Sequence, residues 1–165
     1  MLISSAGFVL AAQNTKDKDE KTKFMYYHKS FGLLAAGLLG PRLVVRLMSK
    51  GPGPIVGANA MEHLAGNLSH LAMYGFAIVL PVSGVIMGTF SGFGMPFFFT
   101  TIPSLRKEPA IAKQAFGIHK QAGQIFEYFI PLHVAGALYH VARGHTIFAR
   151  IIGFGGAAKA VPKVK

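Results

Sequence analysis

The chain has 165 residues, of which 52% are hydrophobic and only 14% charged, and its mean hydropathy is +0.43. A soluble domain carries about a quarter charged residues, so this deficit points to a membrane. Lys and Arg number 17 against 6 Asp and Glu, a net charge of +11, but these cations flank apolar runs, where they meet lipid headgroups, and form no aromatic-basic ribbon or recognition helix of the kind that reads nucleic acid.

In chain order, Met1 to Ala12 is apolar without a basic leader. It is too short to span a bilayer and makes a poor signal peptide, and reads as an interfacial or partner-bound tail. Residues 13–23 (QNTKDKDEKTK) belong in water. Residues 24–48 then form an apolar run long enough, at about 1.5 Å per residue, to cross a hydrocarbon core of about 30 Å. Its blemishes, Pro41, Arg42 and Arg46, lie near its far end, where arginine snorkels to headgroups. Gly32, Ala36 and Gly40 fall four apart, a ridge that lets another helix come close.

A Gly- and Pro-rich loop occupies 49–61. The uncharged stretch Leu71 to Phe90 sits in a second predicted span, 70–91, with Pro81 inside it and a GxxxG pair at Gly84 and Gly88. Residues 91–112 lose helical rhythm and set Phe97, Phe98 and Phe99 at the interface. A third span, 117–143, contains Glu127 and Pro131. Three crossings divide Lys and Arg 9 (residues 16–29 and 106–120) against 8 (residues 42–50 and 143–165), so charge leaves the orientation open.

Histidine carries the chemistry. An ionisable ring inside hydrocarbon is expensive and marks a functional position. In an up-down-up order, His28 and His119 start the first and third spans on the same side, at one depth and on different helices, which is what bis-histidine ligation of a haem iron requires. With no cysteine, such a haem is held without covalent attachment. His133 follows His119 by 14 residues, about 21 Å deeper and facing nearly the same way. His70 and His140 share a depth at the far side, while His63 and His145 face solvent. The plain reading of a terminal histidine is an interfacial residue in contact with headgroups or water; His133 lies too deep for it. Glu127, the one acid within a span, reads either as a proton relay or as a neutral or paired carboxyl. Arg42 and Arg46 suit lipid phosphate, haem propionates or a partner's acid, lipid first.

Three segments together resemble the bacterial-type cytochrome b561 family. HKSFGLLAAGLLGPRLVVRL, from His28, is similar to that family's second transmembrane helix, with its leading histidine and two arginines four apart. EHLAGNLSHLAMYGFAIVLPVSGVIMG, from Glu62, is similar to the third, and HKQAGQIFEYFIPLHVAGALYH, from His119, to the fourth. The resemblance covers about 28–145 in order and spacing. It implies a four-helix bundle with two b-type haems that takes electrons from membrane quinol. By position, His28 and His119 match one haem's axial pair. His133 matches one ligand of the other haem, whose partner belongs to a first helix for which residues 1–23 offer neither a span nor a histidine.

The expected protein is therefore an all-α, three-transmembrane-helix up-down-up bundle, a truncated b561-like fold. Its parts are an N-terminal tail (1–23), a membrane domain (24–150) and a basic C-terminal tail (151–165). One haem b sits on His28 and His119 as iron ligands, with His133 and His70 as further cofactor-binding positions and no normal bis-histidine site at His133. The expected role is electron transfer within a larger respiratory or photosynthetic complex of an energy-transducing membrane: the mitochondrial inner membrane, the thylakoid or the bacterial inner membrane. Partners would be membrane subunits, lipid and quinone, not nucleic acid. The alternative is an accessory subunit that has lost haem, or binds chlorophyll or lipid in its place.

Overall fold

A computed structural model of the chain describes residues 2–49, 53, 55, 57–145 and 147–148. The basic tail expected at 151–165 lies outside the described residues. Four helices, α1 (Leu2–Asn14), α2 (Lys18–Met48), α3 (Ala60–Phe90) and α4 (Pro109–Ala142), are joined by a hairpin between α3 and α4 made of β1 (Met95–Phe97) and β2 (Thr100–Ile102).

The long helices begin six to ten residues before the apolar runs, because capping residues in the polar flanks start them early. Asp17 caps α2 by accepting the Asp19 N–H at 2.8 Å, with Asp19 and Glu20 in the first turn facing the positive end of the helix dipole. Asn59 and Glu62 close a reciprocal capping box on α3, at 2.9 and 3.0 Å. Pro109 opens α4, where its missing N–H costs nothing. By length and composition, α2 and α3 are candidate membrane spans. The charged and amide side chains of Lys113, Gln114, Lys120, Gln121 and Gln124 make α4 more polar along its first half.

The structure departs from the sequence reading at both ends of the first span. Residues 2–14, expected as an interfacial or partner-bound tail, form α1, which lies against α2 within the chain. Phe8 is its anchor, with ring centroids 5.4 Å from Tyr27, 5.6 Å from Phe31 and 6.5 Å from Phe24. At 13 residues, α1 is about 20 Å long, short of the roughly 30 Å core. Of the small-residue ridge of α2, Gly32 faces a neighbour, Ser5 of α1, while a side chain added at Gly40 would meet nothing within 4 Å.

The segment expected to be irregular forms the antiparallel hairpin, pairing Met95 with Ile102 and Phe97 with Thr100. It is pinned to α2 by polar groups. Ser30, with no exposed surface, accepts the Phe98 N–H at 3.0 Å and donates to the Pro96 carbonyl, while the Tyr26 hydroxyl donates to the Phe98 carbonyl. Phe97 and Phe98 are half-buried, and Phe99 stays exposed.

α3 packs on both α2 and α4. Its register against α4 is antiparallel and regular: Ser83 meets His119, Phe76 meets Phe126, Ser69 meets His133 and Glu62 meets Arg143. Gly88 lets the hairpin in, since a Cβ there would lie 2.1 Å from Met95 Cγ. Few apolar side chains are buried among the described residues: Ala12, Leu80, Pro81, Ala115 and Phe126. Leu47, Leu71, Leu132 and Leu138 point outward, as suits a bundle whose surroundings are apolar.

Gly94 tests the hairpin. Its φ is +76°, and a Cβ would stand 2.6 Å from the Ile102 carbonyl oxygen. Gly94→Ala should destabilise the protein by at least the 1–2 kcal/mol typical of a left-handed residue, read as a lower thermal midpoint in detergent. Gly75→Ala, with open space around it, should sit at or above wild type; equal midpoints for the two variants would contradict this account.

Candidate functional site

Four histidines meet in two pairs at two levels of the bundle. His28 of α2 faces His119 of α4 with ring centroids 5.9 Å apart and planes at 72°. His70 of α3 faces His133 of α4 at 5.5 Å and 66°. The first pair brings together the residues singled out as iron ligands. The second brings together His70 and His133, the two residues named as further cofactor-binding positions. The antiparallel register of α3 carries His70 to the level of His133, not to that of His140. His140 lies seven residues on, opposite Glu62 and His63, and its Nδ1 is 3.0 Å from Nδ1 of His145.

Three of the four rings are oriented by a serine the sequence reading passed over. His28 Nδ1 lies 2.8 Å from Ser5 Oγ and 3.0 Å from the Ser5 carbonyl. His119 Nδ1 lies 3.0 Å from both Ser83 Oγ and the Leu80 carbonyl. His133 Nδ1 lies 2.6 Å from Ser69 Oγ. A carbonyl oxygen only accepts, so in His28 and His119 it is Nδ1 that carries the proton. Nε2 is left with the lone pair, the state of a metal-ligating imidazole.

Helix breakers place these contacts. Pro81 lies inside α3 and lacks the N–H that would bond the Ala77 carbonyl. The Leu80 carbonyl beside it takes the His119 N–H as well as the Ser83 hydroxyl. Gly84 removes the side chain that would otherwise crowd the ring, since a Cβ there would come within 3.4 Å of His119 Cε1. The GxxxG pair read as a helix-packing surface therefore serves the histidine at Gly84 and the hairpin at Gly88.

The remaining candidates lie apart from the pairs. Glu127 is half-buried on α4 and makes no hydrogen bond or ion pair among the described residues. Glu62 pairs with Arg143 at the far end, with Tyr139 alongside. Arg46 stacks over the Tyr74 ring, 5.5 Å from its centroid, and Arg42 is exposed.

No group of three or more His, Cys, Asp or Glu able to hold a bare metal ion occurs among the described residues. Two facing imidazoles with lone pairs on Nε2 instead suit a metal that arrives with its own equatorial nitrogens, as the iron of a haem does. The donor set fits that group on the grounds of ring placement and tautomer.

The sequence profile described as prokaryotic cytochrome b561 matches residues 2–154, which takes in α1 as well as the three long helices. Cytochrome b561 homolog 2 of Escherichia coli (strain K12) is 35% identical over 65 residues, 39% of this chain and 35% of that relative. The match thus spans about a third of the curated relative's length.

The serines should not be equivalent. Ser69 is the one hydrogen-bond partner of His133 Nδ1 among the described residues, whereas Leu80 backs up Ser83 at His119. Ser69→Ala should cost about 1–3 kcal/mol, the penalty for stranding a polar group, and Ser83→Ala less than about 1 kcal/mol. Unfolding of both variants in one detergent measures this, and an equal loss would refute the ranking.

Proposed function

The chain belongs to the prokaryotic cytochrome b561 family, and we propose that His28 of α2 and His119 of α4 hold the iron of a haem b between them. Membership makes it an integral membrane cytochrome that binds haem b and serves electron transfer. The observation that carries the assignment is the facing ring pair at 5.9 Å, each ring with Nδ1 tied to a carbonyl and Nε2 left for iron.

The haem supplies one-electron chemistry, and the chain supplies ligands, orientation and a low-dielectric setting. Ser5 and Ser83 fix the planes of the two rings from opposite sides of the site. The hairpin, held by Ser30 and Tyr26, covers α2 next to His28. In this reading α2, α3 and α4 cross the membrane up-down-up, with α1 laid on α2. The length of α4, 34 residues, and its antiparallel pairing with α3 support the third crossing.

The electron donor is a reduced membrane carrier of the quinol class, and the acceptor a protein of the same energy-transducing membrane with which the chain assembles. The narrow apolar core and the outward leucines leave ample surface for lipid or a neighbouring membrane subunit.

Ligation is testable by counting haem. With the full chain purified from haem-supplied membranes, His28→Ala and His119→Ala should each lose one haem per polypeptide in a pyridine haemochrome assay. An unchanged count in both variants would reject the pair.

A further inference from the structure

We propose that Lys18, Lys21 and Lys29 of α2 hold the phosphate of an anionic phospholipid in a cavity between that helix and the hairpin. This goes beyond the haem assignment and does not depend on iron ligation. The cavity measures about 540 Å³, and Thr22, Met25, Tyr26 and Pro96 complete its walls. Sites for small ligands run from about 300 to 1,000 Å³. No Asp or Glu lines it, and none of the three lysines takes part in an ion pair among the described residues.

The cluster follows from helical spacing. Lys18, Lys21, Met25 and Lys29 succeed one another at intervals of three, four and four, so they form one stripe on α2. Like charges at such spacing repel, and an anion lying between them removes the conflict. The other wall is the hairpin, whose Pro96 closes the cavity. It stays in place because Tyr26 and Ser30 bond the backbone at Phe98 and Pro96.

The level of the cavity selects a lipid over a soluble anion. The polar flank ends at Lys23 and the apolar run begins at Phe24, so the lysine stripe straddles the boundary between them. Lys29 stands five residues beyond that boundary and is exposed. From there its stem lies along hydrocarbon while the ammonium reaches back to the headgroups. Successive strand residues point to opposite faces, so Phe97 and Ile102 turn away from the side that Pro96 presents. With Leu33, Leu34 and Leu38 they border an apolar groove of about 390 Å³ on α2. Acyl chains suit that side of the hairpin and a phosphate the other.

The test reads lipid, not haem, so its outcome is separate from that of the ligation assay. The full chain in detergent is titrated with phosphatidylglycerol and with phosphatidylcholine, and bound lipid is counted by native mass spectrometry. One phosphatidylglycerol should bind well ahead of phosphatidylcholine. A lysine facing an anionic headgroup is worth roughly fivefold in binding. Lys29→Gln alone should therefore weaken binding by about that factor, and Gln at Lys18, Lys21 and Lys29 together by at least about tenfold. Arg at the same three positions should restore it. Gln at Lys16, Lys23 and Lys113, outside the cavity, removes the same charge and should leave binding unchanged. Elution and thermal midpoint of each variant check its fold. Equal binding of the two lipids, or equal loss in the two triple variants, would overturn the site. Displacement of the lipid by inorganic phosphate at the same concentration would assign the cavity to a soluble anion and overturn it as well.

Discussion

The register between α3 and α4 is the constraint on which the rest of the structure depends. One antiparallel alignment satisfies four polar contacts along it: Ser83 with His119, Leu80 with the same ring, Ser69 with His133, and Glu62 with Arg143. A slip of one residue would turn each partner by about 100° around its helix and strand the partly buried groups at His119 and His133. Each stranded group costs about 1–3 kcal/mol, while sliding one apolar face along another in lipid costs little, because hydrocarbon solvates leucine as well as leucine does. Polar pairs set the alignment; apolar burial does not.

The same logic places His28. α1 is too short to be held by membrane insertion, and its grip on α2 comes from the Phe8 aromatic cluster and from Ser5. Ser5 is buried and bonds the His28 ring through both its hydroxyl and its carbonyl. On the other side of α2, Ser30 is two residues along from His28 and anchors the hairpin. The first histidine thus sits in a stretch of α2 clamped from two directions, and its ring is the group both α1 and α4 have to accommodate.

What was legible in the sequence follows from this division. Long apolar runs announced α2 and α3, and the matched starts of the first and third spans brought His28 and His119 to one level. Asp17, Asn59 and Pro109 start the helices from polar flanks, where apolar periodicity carries no signal. The hairpin was missed because its strands are three residues each and lie between glycines and prolines, with alternation too brief to register. The serines were invisible as site residues for another reason. A serine in an apolar helix has an acceptor available in its own preceding turn, as Ser83 has in Val79. Only the matched 14-residue intervals of Ser69–Ser83 and His119–His133 distinguish these two from that ordinary use. His70 was read from depth alone, and depth without register allowed either His133 or His140 opposite it.

A protein with so few buried apolar side chains still ties three of its four paired histidine rings to a neighbouring helix. For the pair proposed to hold iron, rings that rotate freely would vary the ligand field and add reorganisation at each electron. Here three of the four are restrained at Nδ1 by groups on another helix, so ring rotation would break a hydrogen bond that hydrocarbon cannot replace. His70 lacks such a tie among the described residues and is the most exposed of the four, though its neighbour Ser69 is committed to His133. The two levels are therefore not equal. The His28–His119 pair has both rings held, by Ser5 and Ser83 with two backbone carbonyls, whereas in the His70–His133 pair one ring is held and the other has no such tie among the described residues. Between them, Phe76, Phe126 and Phe129 pack ring to ring at 5.3 and 5.6 Å. These apolar groups exclude water from the space separating the levels and keep its dielectric low.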